Sequence, residues 1–209
     1  MKRHDTKIPT ASAQFEFAIL PADFDTVRPL VQLLYRRARG QLERSDQMKF
    51  SWKQKFVLWR HKFHQIKFIG EKDMRIIEPV AQSDITVLSI SGNSAFLRCL
   101  SAMLPSIEVV EVAELNDGPK HQMHGLYVRK AGRIVRRAEA SIGIHSVNWE
   151  WQEDGRPMLW EDTKTYTHTH ISKRQSRATL TAHMRQLGFD AERYLEDGTA
   201  SRLARFRNE

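Results

Sequence analysis

Residues 84–112 read DITVLSISGNSAFLRCLSAMLPSIEVVEV, and this stretch decides the fold class. Its two ends, DITVLSIS (84–91) and IEVVEV (107–112), are short runs of apolar and β-branched residues, which are typical of strands. Between them, AFLRCLSAML (95–104) places its leucines at helical spacing, and Pro105 ends the helix. The stretch therefore predicts a strand, a helix and a returning strand.

The residues that follow predict hairpins and a closing helix. GLYVRKAGRIVRRAEASIGI (125–144) is typical of a hairpin that turns at 130–132, and the next strand carries Trp149 and Trp151 on one face. Farther on, Ser176 is placed to cap a helix that ends at Leu187, with Gly188 after it. The tail TASRLARFRNE (199–209) predicts a short helix or a loose arm.

Together these elements predict an α+β fold with a mixed or antiparallel sheet and helices on one side. The order of elements permits a ferredoxin-like βαβ core. We expect two parts, a basic segment of a strand and helices over 1–80 and an α+β domain over 81–209, with packing into one globule left open.

The charge of the chain is concentrated in its first part. The net charge is +8 and the isoelectric point about 9.8. Residues 1–80 carry 16 Lys and Arg against 9 Asp and Glu, a net of +7, whereas residues 81–209 carry 17 against 16, a net of +1. This asymmetry predicts an anionic partner for the first part, which is nucleic acid, an acidic protein or a membrane surface. The alternative is that the cations form a solvated face that keeps the protein in solution.

The densest basic stretch is KFSWKQKFVLWRHKFHQIK (49–67), which has six Lys and Arg and no acid. Its aromatic and aliphatic residues at 52, 56, 59, 63 and 66 fall on one face of a helix bordered by the cations. Those cations either contact phosphates or surround a buried aromatic stripe. The candidate anion-binding residues are Lys49, Lys53, Lys55, Arg60, Lys62, Lys67, Arg36, Arg37 and Arg39.

No residue set predicts catalysis, a metal site or a cofactor, so we lean towards a protein that is not an enzyme. The single Cys99 excludes a disulfide framework and a multi-cysteine zinc site, and we expect it to be a buried thiol. The close histidine pairs, His121/His124 and His168/His170, lack metal-site spacing. The acids at 150, 153, 154, 161 and 162 are expected to form a solvated turn, with Glu161 either within reach of Arg174 or capping a turn.

Composition narrows the class of protein further. Hydrophobic residues make up 41% of the chain and charged residues 28%, which excludes collagen-like and wholly disordered chains. No run of about 18 apolar residues is present, and the first residues lack the apolar stretch of a secretory signal. We therefore expect a cytoplasmic protein without membrane insertion.

The order of motifs around the tryptophan strand is distinctive. Tyr127, Gly132 and Arg136 precede that strand, GRPMLWE (155–161) follows it, and Tyr166, Ile171 and Arg174 lead into the closing helix. This order resembles the C-terminal half of small bacterial proteins that carry a G-x-P-L-P-[FW]-E segment, several of which look like immunity proteins of contact-dependent or polymorphic toxin systems. Leu159 stands where that segment has proline. The resemblance implies no catalytic residue.

Two functions follow from these observations. The resemblance implies a non-catalytic protein that binds and neutralises a toxin. The basic segment at 49–67 instead predicts a protein that binds RNA or DNA, such as a subunit of an RNA-processing or genome-defence complex. Both functions need a larger macromolecule as partner.

Overall fold

The computed structural model describes residues 15–38, 74–80, 82, 84–89, 94–116, 118, 121–142, 146 and 148–206. Its described strands form one eight-stranded sheet in the order β7–β6–β5–β4–β1–β3–β2–β8, and every neighbouring pair is antiparallel. The strands are β1 (Phe15–Leu20), β2 (Met74–Glu78), β3 (Thr86–Ser89), β4 (Val109–Asn116), β5 (Gln122–Lys130), β6 (Arg133–Ile142), β7 (Glu150–Asp154) and β8 (Arg202–Phe206).

Four α-helices accompany the sheet in the described part of the chain. They are α1 (Phe24–Ala38), α2 (Ser94–Met103), α3 (Arg177–Gln186) and α4 (Ala191–Asp197). Two 3-10 helices, Lys164–Thr167 and Ile171–Lys173, precede α3. None of the described helices combines the length and apolar character needed to cross a bilayer.

The sheet buries both of its faces, as the alternation along β1 demonstrates. Ala18 and Leu20 pack in one hydrophobic cluster with residues of α1 and α2, while Phe17 and Ile19 pack in a second cluster with residues of α3 and α4. Since neighbouring residues of a strand point to opposite faces, one strand serves both clusters. The α+β class and the antiparallel sheet are confirmed, but the prediction of helices on one side is wrong, because the sheet lies between two helical layers.

The connectivity of the central strands has two interleaved crossovers. β1 and β2 flank β3, and β3 and β4 flank β1, so the connections through α1 and α2 each skip one strand. This interleaving is what a ferredoxin-like layout needs. Residues 39–73, between α1 and β2, lie outside the described residues, and the ferredoxin-like layout stays a prediction.

Local signals place several elements where the sequence predicts them. The β5–β6 hairpin turns at Ala131 and Gly132, both with positive φ. The Ser176 hydroxyl accepts a hydrogen bond from the Thr179 N–H at the start of α3, and Gly188, at φ +89°, follows the last turn. Leu180 and Met184 of α3 are buried as expected.

The tail departs from the prediction. Residues 202–206 form β8 and pair with β2, whereas the sequence predicts a short helix or a loose arm. Ala204 and Phe206 lie beside α1, where the Phe206 ring centroid is 5.4 Å from that of Tyr35. This strand forms because it contacts a distant segment of the chain; Arg202, for example, binds Glu78, which lies 124 residues away. A local sequence pattern cannot predict such a contact.

Candidate functional site

The predicted anion-binding residues lie almost entirely beyond the part of the chain that the structure describes. Arg39 and the whole stretch 49–67, with Lys49, Lys53, Lys55, Arg60, Lys62 and Lys67, lie outside the described residues. Arg36 is an exposed residue of α1, and Arg37 belongs to the last turn of the same helix. The assignment of these residues to an anion site therefore stays a prediction.

Many arginines of the described sheet and helices are paired with carboxylates of the same chain. The pairs are Arg129 with Glu111, Arg136 with Glu153 and Glu161, Arg137 with Glu139, Arg177 with Glu114, Arg185 with Asp190 and Glu192, Arg193 with Asp197, and Arg202 with Asp25 and Glu78. Internal pairing neutralises much of the positive charge of this part of the chain. Two places then stand out, one built around Arg136 and one beside β8.

Arg136 is the largest fully buried side chain in the described residues. Its Nη2 lies 2.6 Å from Glu161 Oε1 and 2.9 Å from Glu153 Oε1, and its Nε donates to both Glu161 oxygens. Nη1 donates to the carbonyl oxygens of Asp154 and Gly155, at 3.3 and 3.0 Å. Each guanidinium nitrogen thus has an acceptor, so the buried charge is fully paired and hydrogen-bonded.

Glu161 completes this cluster from the other end. Besides Arg136, it accepts hydrogen bonds from the Tyr166 hydroxyl at 2.5 Å and from the Met158 N–H at 2.9 Å. Burial alone raises the pKa of the Glu161 carboxyl, but the bonds from Arg136, Tyr166 and the Met158 backbone outweigh burial and hold the pKa below its ordinary value. The carboxylate stays charged, as the ion pair requires.

Two expectations for this region are wrong. Glu161 does not lie in a solvated turn, because its side chain has no exposed surface and faces Arg136. It is not bound to Arg174 either, because that guanidinium donates to the His168 carbonyl oxygen at 2.8 Å and lies over the Trp151 ring. The alternative, that Glu161 caps a turn, is confirmed, because its carboxylate accepts from the Met158 N–H. The sequence does hold one indication that Arg136 is buried. It lies on the same face of β6 as Ala138 and Ala140, which are both buried.

The cluster fixes the loop of residues 155–161. Arg136 binds the carbonyl at its start, and Glu161 binds the Met158 N–H at its centre. Gly155 has φ +76°, and a Cβ there would collide with the Val135 carbonyl oxygen, so only glycine fits. At the tip, Leu159 is 108% exposed, with the partly exposed Met158 and Trp160 on either side. The buried charges thus hold a rigid, protruding apolar tip.

The second place is a groove of about 530 Å³ between α1 and the edge strand β8. Its lining consists of Phe24, Arg28, Gln32 and the whole of β8. The Arg202 guanidinium lies 4.6 Å from the centroid of the Phe24 ring and binds both oxygens of Asp25, at 2.8 and 2.9 Å. Cationic, amide and aromatic groups therefore meet beside a strand that, among the described strands, pairs with β2 alone.

The histidines and the cysteine do not converge on a reaction centre within the described residues. No group of three or more His, Cys, Asp or Glu is placed to hold a metal ion in that part of the chain. His183 is buried and accepts from the Asp162 N–H at 3.1 Å, while His124 stacks on Trp149. Cys99 is buried, as expected.

Comparison with known proteins adds no relative. No family model, no curated protein and no solved structure matches the chain.

Proposed function

We propose that this protein is a non-catalytic binding protein whose partner is another protein, as expected of a toxin-neutralising immunity protein. The observation that carries the proposal is the 155–161 loop with its exposed tip. The proposal also draws on the resemblance of the GRPMLWE segment to the corresponding segment of immunity proteins.

The composition of the tip favours a protein partner. Residues 157–160 read PMLW; Met158 and Trp160 pack against the hydrophobic cluster on the α3 side, whereas Leu159 has no cover among the described residues. An exposed leucine whose two neighbours are anchored in the core is held ready for an apolar pocket of a partner. The exposed Arg156 beside it suits a partner that offers an apolar pocket with an acidic rim.

The rigidity of the loop favours the same function. A binding loop that is ordered before it meets its partner loses less conformational entropy on binding. Here a buried ion pair, a buried tyrosine hydroxyl and a glycine with positive φ all act on one short loop. Buried ion pairs contribute little to net stability compared with apolar replacements, which makes positioning of the loop the better account of this one.

Nucleic-acid binding is the second candidate function, and the basic stretch 49–67 favours it. If this stretch binds duplex DNA, the logarithm of the binding constant should fall as the logarithm of the salt concentration rises, with a slope of about −0.9 for each phosphate contacted. Replacing Lys53, Arg60 and Lys67 together by glutamine would then weaken binding to RNA or DNA strongly. Equal binding by the triple variant would exclude this segment as the contact surface.

The test of the proposed function is rescue of growth. The open reading frame immediately upstream in the source genome is expressed as the toxin, with and without this protein. We expect rescue by the parent and by Leu195→Asp, a matched change at an exposed leucine of α4, and loss of rescue by Leu159→Asp. A toxin that binds Leu159→Asp as tightly as the parent, or an upstream product that the parent fails to neutralise, would refute the proposal.

A further inference from the structure

The two edge strands of the sheet that the described residues form have equal length. Among the described residues, β7 pairs only with β6 and β8 only with β2, and each has five residues. An edge strand presents a row of unpaired N–H and C=O groups that can pair with another strand. Both ends of the sheet are therefore able to extend it.

The two edges carry opposite charges. β7 reads EWQED, with three acids and no base, and β8 reads RLARF, with two arginines and no acid. Glu150 and Arg205 are both exposed, and neither forms an ion pair with a described residue. Arg28 adds a third cation at the groove beside β8. Opposite charges favour pairing of one edge with the other and disfavour pairing of like edges.

The direction of the strands suits such a pairing. Since every neighbouring pair is antiparallel across eight strands, β7 and β8 run in opposite directions. A second copy placed beyond β8 in the same orientation offers its β7 as the next antiparallel strand. The sheet would then continue from one copy to the next without a change of pattern.

The faces of the two strands match as well. The registers across the sheet put Glu150, Gln152 and Asp154 on the face covered by α1 and α2, together with Arg202, Ala204 and Phe206. Pairing that keeps the faces aligned sets Arg202, which already binds Asp25 and Glu78, opposite Asp154. It sets Arg205 opposite Trp151 and diagonal to Glu153, which already binds Arg136. The acids on the α1 face of β7 would then enter the groove that Arg28 lines.

From these matches we propose that the β8 edge binds the β7 edge of a second copy of this chain. The contact is heterologous, because it joins two different surfaces, so repetition gives rings or open chains of copies. The proposal does not depend on the function proposed above.

The first test uses a labelled peptide with the sequence of residues 148–155, NWEWQEDG, and the full chain as receptor. We expect saturable binding by fluorescence anisotropy that weakens as NaCl is raised from 50 to 500 mM. Arg205→Glu should weaken binding by about tenfold or more, which corresponds to the loss of one good charge contact. A peptide with Glu153→Lys should bind Arg205→Glu better than it binds the parent, and Arg193→Glu on α4 is the matched control.

The second test is the size of the protein alone. Sedimentation velocity should show association that grows with concentration and is reduced in Arg205→Glu and, independently, in Arg28→Glu on the helix wall of the groove. A protein that stays monomeric at millimolar concentration and does not bind the peptide would overturn the proposal. Binding of an octaglutamate peptide or of single-stranded RNA as tight as that of NWEWQEDG would also overturn it, because the groove would then select charge alone.

Discussion

The guanidinium of Arg136 and the carboxylate of Glu161 lie 2.6 Å apart, and neither side chain has any surface exposed to solvent. The two residues belong to different elements, one to β6 and the other to the end of the 155–161 loop. Because each charge is costly to bury alone, the two groups require each other.

Removal of one partner should therefore lower the free energy of unfolding substantially. Glu161→Gln is expected to lower the free energy of unfolding by about 3 kcal/mol, because the buried Arg136 charge then keeps only the partly exposed Glu153 as a partner among the described carboxylates. The matched change Glu153→Gln removes a carboxylate that is 36% exposed, and it should cost about 1 kcal/mol or less. Urea denaturation of both variants measures the difference. Equal costs would mean that the pair does not hold the loop.

The Glu161 carboxylate should also make the stability of the protein depend on pH. Its pKa in the folded protein lies below the ordinary value of 4.5, so its contribution is complete above pH 4.5 and is lost as pH falls through the folded pKa. The difference in unfolding free energy between the parent and Glu161→Gln should be constant from pH 7 to 5 and shrink below pH 4.5. A difference that stays constant down to pH 3 would contradict this prediction.

His183 should act in a higher pH range. Burial lowers its pKa below the ordinary value of 6.5, so the unfolded chain takes up a proton that the folded protein does not. Stability should then fall as pH drops below about 6.5, by at most about 1.4 kcal/mol per pH unit for one histidine. His183→Gln keeps an acceptor for the Asp162 N–H and should reduce this slope. Burial also lowers the pKa of His124, which should contribute to the slope in the same direction.

Gly155 is expected to tolerate no side chain. Both Gly155 and Gly198 have positive φ, at +76° and +68°, but a Cβ at Gly198 would meet nothing within 4 Å. Gly198→Ala should cost about 1 kcal/mol from backbone strain alone. Gly155→Ala should cost clearly more, about 2–4 kcal/mol, because the strand β6 must also shift. Thermal unfolding of the two variants side by side tests this, and equal shifts in Tm would refute it.

Cys99 should be inert in the folded protein. Burial raises the pKa of its thiol to about 11, so the thiolate that reacts with disulfide reagents is scarce at pH 8. We expect labelling by dithiobis-nitrobenzoate to be at least about 100-fold slower in buffer than in 6 M guanidinium chloride, because a shift of two pH units lowers the thiolate fraction about 100-fold. Comparable rates in both solutions would mean that the helix α2 opens readily.

Sequence patterns predict the elements whose signals are local. The strand–helix–strand unit, the hairpin at Ala131 and Gly132 and the capped helix α3 depend on neighbours within a few residues, and each lies where the pattern predicts it. Strand β8 depends instead on pairing with β2 and on contact with Tyr35. Propensity alone cannot supply those long-range contacts.

The sequence likewise predicts some parts of the candidate site and not others. The GRPMLWE segment stands out in the sequence, but its anchor Arg136 lies 25 positions before Glu161, and only the packing of β6 brings them together. The groove beside β8 is beyond sequence reasoning, because Arg28 and Arg202 come from opposite ends of the chain. The burial of both faces of the sheet could not be predicted either, because the sequence does not show that β1 lies between β3 and β4.

Strand β1 lies between β3 and β4, at the middle of the sheet, although it is the first of the described strands along the chain. During synthesis its neighbour β3 is complete only when residue 89 has left the ribosome and its neighbour β4 only when residue 116 has, so its apolar side chains Phe17 and Ile19 stay exposed until then and are at risk of aggregation. A fragment that starts after residue 20 would leave a gap in the middle of the sheet, and a peptide of residues 15–20 supplied separately is the natural piece to fill it.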